Sequence, residues 1–230
     1  MTLEFSVDGR QRRAAVWVPP GFAARRAAAP DHRWPLILAL HGYGERGDDD
    51  EHLAHGLGPV LERHPERFDA IVVQPQCPRD LVWVVVDRPW ARGHGSAEPH
   101  LDAVLDTALA ELPVDPDRVA LTGLSMGGFG TFVWGGRRIE RFCALLAICG
   151  GGIPSEAAAL TRRPLWAIHG DADDVVEVAS SREMIAAIRA AGGEPRYTEY
   201  PGCGHNSWDR AYADPEVARF LQQHRRPAGE

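Results

Sequence analysis

The stretch Leu121-Thr122-Gly123-Leu124-Ser125-Met126-Gly127-Gly128 constrains this chain more than any other. It is a G-x-S-x-G motif, preceded by an apolar, strand-like run at residues 118–122 and followed by a helical pattern at residues 127–138. In that context the motif reads as a sharp strand-to-helix turn that lifts the serine hydroxyl above a sheet. Side chains at Gly123 and Gly127 are expected to collide with neighbouring backbone, which accounts for both glycines. The helix that follows points its N-terminus at the same place, where unpaired amides favour negative charge. A turn of this kind needs a buried strand before it and a helix after it, so the chain around it must be layered α/β.

The rest of the chain supplies those layers. Residues 36–40 are a continuous apolar run, as expected for a strand covered on both faces. Residues 70–73, 118–122, 143–149, 165–168 and 196–200 read as further strands. Helical patterns occupy 100–111, 127–138, 178–191 and 215–224; in the first, Leu101, Val104, Leu105, Ala108 and Leu112 share one face. Pro113 ends that helix, because the residue before proline disfavours the α region. Strands alternating with helices predict a mostly parallel central sheet with helices on both faces. Residues 2–18 alternate apolar and polar around Asp8-Gly9, which predicts an antiparallel hairpin at the sheet edge. Residues 19–35, rich in Pro, Ala and Arg, read as a surface connection. Residues 75–99 carry Trp and Pro and take no assignment beyond a candidate short strand at 82–86; long loops of this kind often belong to a site.

Composition narrows the chemistry. A length of 230 residues fits one α/β domain over residues 1–230. The formal net charge of -7 argues against a nucleic-acid partner, which needs a basic surface. All 25 residues in the Lys+Arg count are arginine, which excludes a lysine Schiff base, a pyridoxal phosphate anchor, a Walker lysine and a Ser–Lys dyad. No apolar run approaches the ~18 residues of a membrane span. The start of the chain shows no secretory signal, so a cytoplasmic location is expected. Cys77, Cys143, Cys149 and Cys203 make no CxxC pair and read as free thiols, with Cys143 and Cys149 in the core.

A serine hydroxyl needs a base. Behind a turn of this type the partners follow in the order Ser, then Asp or Glu, then His. Three histidines lie downstream of Ser125: His169, His205 and His224. His224 falls in the tail of the last helix, and His169 ends a strand, where local packing is expected. His205 lies in Gly204-His205-Asn206-Ser207-Trp208, between the last strand and the last helix, and is the expected base. Asp171, Asp173 and Asp174 all follow the strand at 165–168, and spacing alone does not separate them.

Together these segments resemble the α/β-hydrolase superfamily, and within it the small carboxylesterase, phospholipase-like and dienelactone-hydrolase-like group; the "predicted peptidase" esterases look most similar. The likeness rests on His41-Gly42-Tyr43-Gly44-Glu45-Arg46-Gly47, the 123–128 turn, His169-Gly170-Asp171-Ala172-Asp173 and Gly204–Trp208, in the family's order. It implies an α/β-hydrolase fold and a Ser125–His205–Asp173 triad, Asp173 being the last residue of the His-Gly-x-x-Asp pattern. It also implies an oxyanion hole from the backbone amides of Tyr43 and Met126. Relatives often carry a small or aliphatic residue where this chain has Tyr43, so Tyr43 is expected to narrow the acyl pocket. No insertion at 150–164 is long enough for a large lid, which suits short or exposed acyl groups.

The expected function is therefore serine carboxylesterase action on a small-molecule ester, without cofactor or metal. Thioester, peptide or carbohydrate-ester cleavage by the same triad, and a non-catalytic binding protein on the same scaffold, are the alternatives. Monomer and homodimer stay open. Asp48-Asp49-Asp50-Glu51 reads as a solvated turn, and His52 and His55 lack the companions of a metal motif. Most tryptophans are core residues, yet Trp83, Trp90 and Trp208 lie in candidate site loops; Trp83 and Trp208 are carried as candidates to line the substrate pocket.

Overall fold

Apolar runs spaced by helices become neighbouring strands of one sheet. The computed structural model describes residues 1–227, so the last three residues of the domain expected over 1–230 lie outside them. The strands are β1 (Thr2–Val7), β2 (Arg10–Trp17), β3 (Trp34–Leu40), β4 (Ile71–Pro75), β5 (Leu81–Val82), β6 (Gly95–Ser96), β7 (Val114–Leu124), β8 (Ala144–Ile148), β9 (Leu165–Gly170) and β10 (Arg196–Tyr200). The helices are α1 (Phe22–Ala28), α2 (Gly58–Arg63), α3 (Glu98–Glu111), α4 (Met126–Arg137), α5 (Ala179–Ala190), α6 (Trp208–Ala213) and α7 (Pro215–Gln223). Eight strands form a sheet in the order β1-β2-β4-β3-β7-β8-β9-β10, while β5 and β6 pair separately. The β1–β2 hairpin is antiparallel, β2 meets β4 antiparallel, and every pairing from β4 across to β10 is parallel.

Strand alternation divides the core between the two faces. Leu36, Leu38 and Leu40 of β3 face a cluster with Leu101 of α3, Phe132 of α4 and Ile185 of α5. Ile37 and Ala39 point the other way, to Leu61 of α2 and Val217 and Leu221 of α7. Every residue of β3 is buried, as the unbroken apolar run requires. The fold is thus the α/β-hydrolase arrangement, with helices on both faces and the hairpin at one edge.

Departures from the sequence expectations are local. The 19–35 connection contains α1, none of whose residues is buried. The strand expected at 82–86 shrinks to Leu81–Val82, paired with Gly95–Ser96. Residues 154–162 form a 3₁₀ stretch tucked in by Ala157 and Leu160, with no large lid among the described residues. No helix of the described residues is long and apolar enough to cross a membrane. The segments after β3, β7, β9 and β10 all leave the same, carboxyl, edge of the sheet, where open α/β sheets hold their ligands.

Candidate active site

The turn between β7 and α4 is built by main chain pressing on main chain. A Cβ at Gly123 would stand 2.3 Å from the Gly127 carbonyl oxygen, and one at Gly127 would stand 2.2 Å from that of Leu40. Ser125 takes φ 52° and ψ −117°, a conformation that L-residues rarely adopt and that costs about 1–3 kcal/mol. Its own amide is held by the Ile148 carbonyl at 2.9 Å, and its carbonyl accepts the Phe129 amide at 3.0 Å. Met126 is the first residue of α4, so its amide has no acceptor within the helix.

Loops from three strand ends converge on the hydroxyl. His205 Nε2 lies 3.0 Å from Ser125 Oγ. On the other side of the ring, Nδ1–H donates to Asp173 Oδ2 at 2.7 Å, which leaves Nε2 free to accept from the serine. Asp173 Oδ1 accepts the amides of Val175 and Val176, each at 2.9 Å. Its Oδ2 also lies 3.1 Å from Nε2 of the fully buried His169. Burial works against the Asp173 charge, but the hydrogen bonds from His169, His205 and the Val176 and Val175 amides outweigh it and hold the carboxyl well below its ordinary value. Asp171 does different work: its Oδ1 accepts the Gly202 amide at 2.6 Å and ties the acid loop to the histidine loop. Asp174 is exposed.

The loop after β3 is held by side chains. A Cβ on Gly42 would stand 3.6 Å from the Cβ of Ser125, so this backbone passes beside the serine. His41 donates from Nδ1 to the Gly42 carbonyl at 2.6 Å and accepts the Cys77 amide on Nε2 at 2.9 Å. Burial, aided by neighbouring Arg46 and His52, lowers its pKa to about 3, so the ring stays neutral. Arg46 lies 3.5 Å from the Tyr43 ring centroid and donates to the Tyr43 carbonyl at 3.0 Å. The Tyr43 hydroxyl meets His94 Nε2 at 3.1 Å. Its ring stands edge-on to Trp90, 6.0 Å between centroids, and Trp90 is edge-on to Phe129 of α4 at 5.2 Å.

Among the described residues one group of metal-capable side chains comes together: Cys149, Asp173 and His205, with ligand atoms within 4.8 Å. Asp173 and His205 already hydrogen-bond each other, and burial raises the Cys149 thiol far above the value at which it ionises readily. The donor set therefore fits a hydrogen-bonded relay better than a metal centre. A groove of about 520 Å³ elsewhere is lined by residues such as Gln11, Arg13, Asp50 and Gln76 and includes none of the candidate residues.

The sequence profile of the Dienelactone hydrolase family matches residues 69–219, about two thirds of the chain and a span that includes Ser125, Asp173 and His205. The chain belongs to the dienelactone hydrolase family. Feruloyl esterase D of Neurospora crassa is 29% identical over 216 residues, covering 90% of this chain and 69% of that protein. The crystal structure of a thermostable esterase superposes with a TM-score of 0.85 at 29% identity, covering 98% of this chain; the chain spans only 63% of that protein's length. The crystal structure of esterase PE8 gives a TM-score of 0.63 at 25% identity, covering 87% of this chain and 95% of that one.

Within this dienelactone hydrolase family member, the structure brings Ser125, His205 and Asp173 into contact and sets the Gly42 backbone beside the serine. The substrate-lining expectation is corrected for Trp83. Its ring is wholly buried and its Nε1–H donates to the His41 carbonyl at 3.0 Å, so it props the loop from beneath and has no face for a substrate. Trp208 is half-buried and edge-on to the His205 ring, 5.3 Å between centroids. Sequence reasoning passed over Arg46 and His94, which clamp Tyr43. The one local signal for His94 is its setting, Gly93-His94-Gly95, in the unassigned stretch.

Proposed function

We propose that this member of the dienelactone hydrolase family is a serine hydrolase of small carboxylic esters. The observation that carries the proposal is the unbroken hydrogen-bonded line from Ser125 through His205 to Asp173 behind a strained serine at a helix N-terminus. Ser125 Oγ attacks the ester carbonyl carbon while His205 Nε2 takes its proton. Asp173 holds the ring in the Nδ1–H tautomer and stabilises the imidazolium that forms. The amides of Tyr43 and Met126 face the oxyanion, where one donor is worth about 10²–10³ in rate. His205 returns the proton to the departing alkoxide, and the acyl-enzyme is then hydrolysed by water that His205 activates.

Among esters, the aromatic surface of Tyr43 and Trp90, backed by the buried ring of Phe129, favours aromatic acyl groups, and a feruloyl esterase is among the relatives. The test is hydrolysis of p-nitrophenyl acetate, butyrate and octanoate and of methyl ferulate by the wild type and by Ser125→Ala. Short and aromatic acyl groups are expected to react fastest. Turnover is expected to fall by about 10⁴-fold or more in the variant. A wild type unreactive toward all four esters and toward a fluorophosphonate overturns the hydrolase proposal; full activity in Ser125→Ala overturns the nucleophile.

A further inference from the structure

Asp173 carries more donors than a triad requires. A carboxylate has two oxygens with about four lone-pair positions. Here Oδ1 receives two amides, from Val175 and Val176, and Oδ2 receives His205. The fourth position is taken by His169, in the penultimate position of β9 and fully buried. Its Nε2 stands 3.1 Å from Asp173 Oδ2 and 2.9 Å from the Val176 carbonyl. Both neighbours only accept, so Nε2 carries a proton and shares it between them.

On its other side the ring is held as firmly. His169 Nδ1 is 2.7 Å from Ser181 Oγ of α5, and that hydroxyl is 2.9 Å from the Gly150 carbonyl. Gly150 in turn packs on the backbone of Gly128, at the start of α4 behind the nucleophile turn. One line of contacts thus runs from the carboxylate through His169 and Ser181 to the main chain behind Ser125. Any buried imidazole needs partners for its ring nitrogens; what sets His169 apart is that one of its partners is the carboxylate oxygen that also holds His205.

We propose that His169 is a positioning residue for the reaction: it fixes the rotation of the Asp173 carboxylate so that Oδ2 faces His205. This rests on the hydrolase proposal above. Without His169, Oδ2 loses a partner in a dry site and the carboxylate is free to turn off the line to His205. The loss falls on the step in which the imidazolium forms, so kcat is affected and ground-state binding is not.

The experiment compares His169→Leu and His169→Gln, alone and in Asp173→Ala, with active sites counted by fluorophosphonate titration. His169→Leu is expected to lower kcat by about 10- to 100-fold with KM within about twofold, the range seen when outer-shell partners are removed. His169→Gln, which keeps a donor near the Nε2 position, is expected to stay within about threefold of wild type. In Asp173→Ala, His169→Leu is expected to lower kcat less than about twofold, because its effect passes through the missing carboxylate. Should His169→Leu fail to fold, Ser181→Ala takes its place, with a loss of about three- to tenfold that is also silent in Asp173→Ala. Unchanged kcat in both folded variants, or an equal loss in both backgrounds, overturns the proposal.

One arm does not depend on turnover. The low-field NMR resonance of the His205 Nδ1 proton is expected to shift in His169→Leu or, failing that variant, in Ser181→Ala. If it stays fixed, His169 does not position Asp173, whatever the enzyme hydrolyses. An enzyme inactive on every ester but showing the shift removes the ester assignment and leaves the positioning role standing.

Discussion

The two amides proposed for the oxyanion come from regions built in opposite ways. Met126 follows a turn shaped by backbone against backbone, with Gly127 and the Leu40 carbonyl too close for any side chain. Tyr43 sits in a loop held by side-chain hydrogen bonds to the 76–94 segment: the His41 ring accepts the Cys77 amide, Trp83 donates to the His41 carbonyl, Gln76 to the Glu45 carbonyl, and His94 meets the Tyr43 hydroxyl. Backbone packing has no intermediate settings, whereas a set of side-chain hydrogen bonds can be weakened one at a time. Substitutions in the turn should therefore act as switches and substitutions around the loop as graded adjustments.

The largest effect is expected at Gly127. A methyl group there meets the Leu40 carbonyl oxygen at 2.2 Å, so either β3 or the start of α4 must move, and with it the Met126 amide. Gly127→Ala should lower kcat/KM by about 10²–10³-fold, the worth of one oxyanion donor, in protein that is folded by circular dichroism. Activity within fivefold of wild type would mean that close approach does not set the turn.

His41 separates the two regions by pH. Its pKa falls from the ordinary 6.5 to about 3, because burial disfavours the charged ring. Its Nε2 also accepts the Cys77 amide and has no room for a proton. Below 6.5 the unfolded chain takes up a proton that the folded chain refuses. The contribution to stability is thus complete above pH 6.5 and is lost as the pH falls toward 3. The slope reaches about 1.4 kcal/mol per pH unit. His41→Gln should remove that slope from urea unfolding measured across this range, while Gly127→Ala should keep it. Asp173, lowered from 3.8, adds its own loss as the pH falls toward and below 3.8, so the His41 contribution is read between pH 6.5 and about 5, above the Asp173 window. An unchanged slope in His41→Gln would place the acid sensitivity elsewhere.

The same contrast explains what could be read from the sequence. β3 was legible because all seven of its residues are buried, and the turn because its glycines are demanded locally. α1 left no periodic signal because none of its residues is buried, and α2 and α6 are six residues each, under two turns. The props of the loop were illegible for another reason. Trp83 and the His41 carbonyl it holds are 42 residues apart, and nothing near Trp83 in the chain marks the partner. Asp171, Asp173 and Asp174 are likewise one residue type in one loop. What distinguishes them is whether each meets histidines, a distant amide or solvent, and that is decided by β9, β10 and α5 together.

Trp83→Phe tests a single prop. The aromatic ring keeps its place in the core, but the His41 carbonyl loses its indole donor in a site closed to water. Unfolding free energy should drop by about 1–3 kcal/mol, the cost of leaving a buried carbonyl unpaired, and kcat by less than about threefold. A loss near that of Gly127→Ala would show that the loop behaves as a switch too.

Tyr43→Phe should do least of all, although Tyr43 supplies one of the two proposed oxyanion amides. The change deletes only the hydroxyl that meets His94, at a residue 36% exposed, where water replaces the lost partner. The Arg46 guanidinium over the ring, its bond to the Tyr43 carbonyl and the edge contact with Trp90 all remain. Stability should change by less than about 0.5 kcal/mol, and kcat on p-nitrophenyl butyrate should stay within about twofold. The ratio of methyl ferulate to butyrate turnover should hold as well, since the aromatic surface is intact. A tenfold fall in kcat would mean that the hydroxyl–His94 contact alone fixes the amide, and the loop would then be as exacting as the turn across from it.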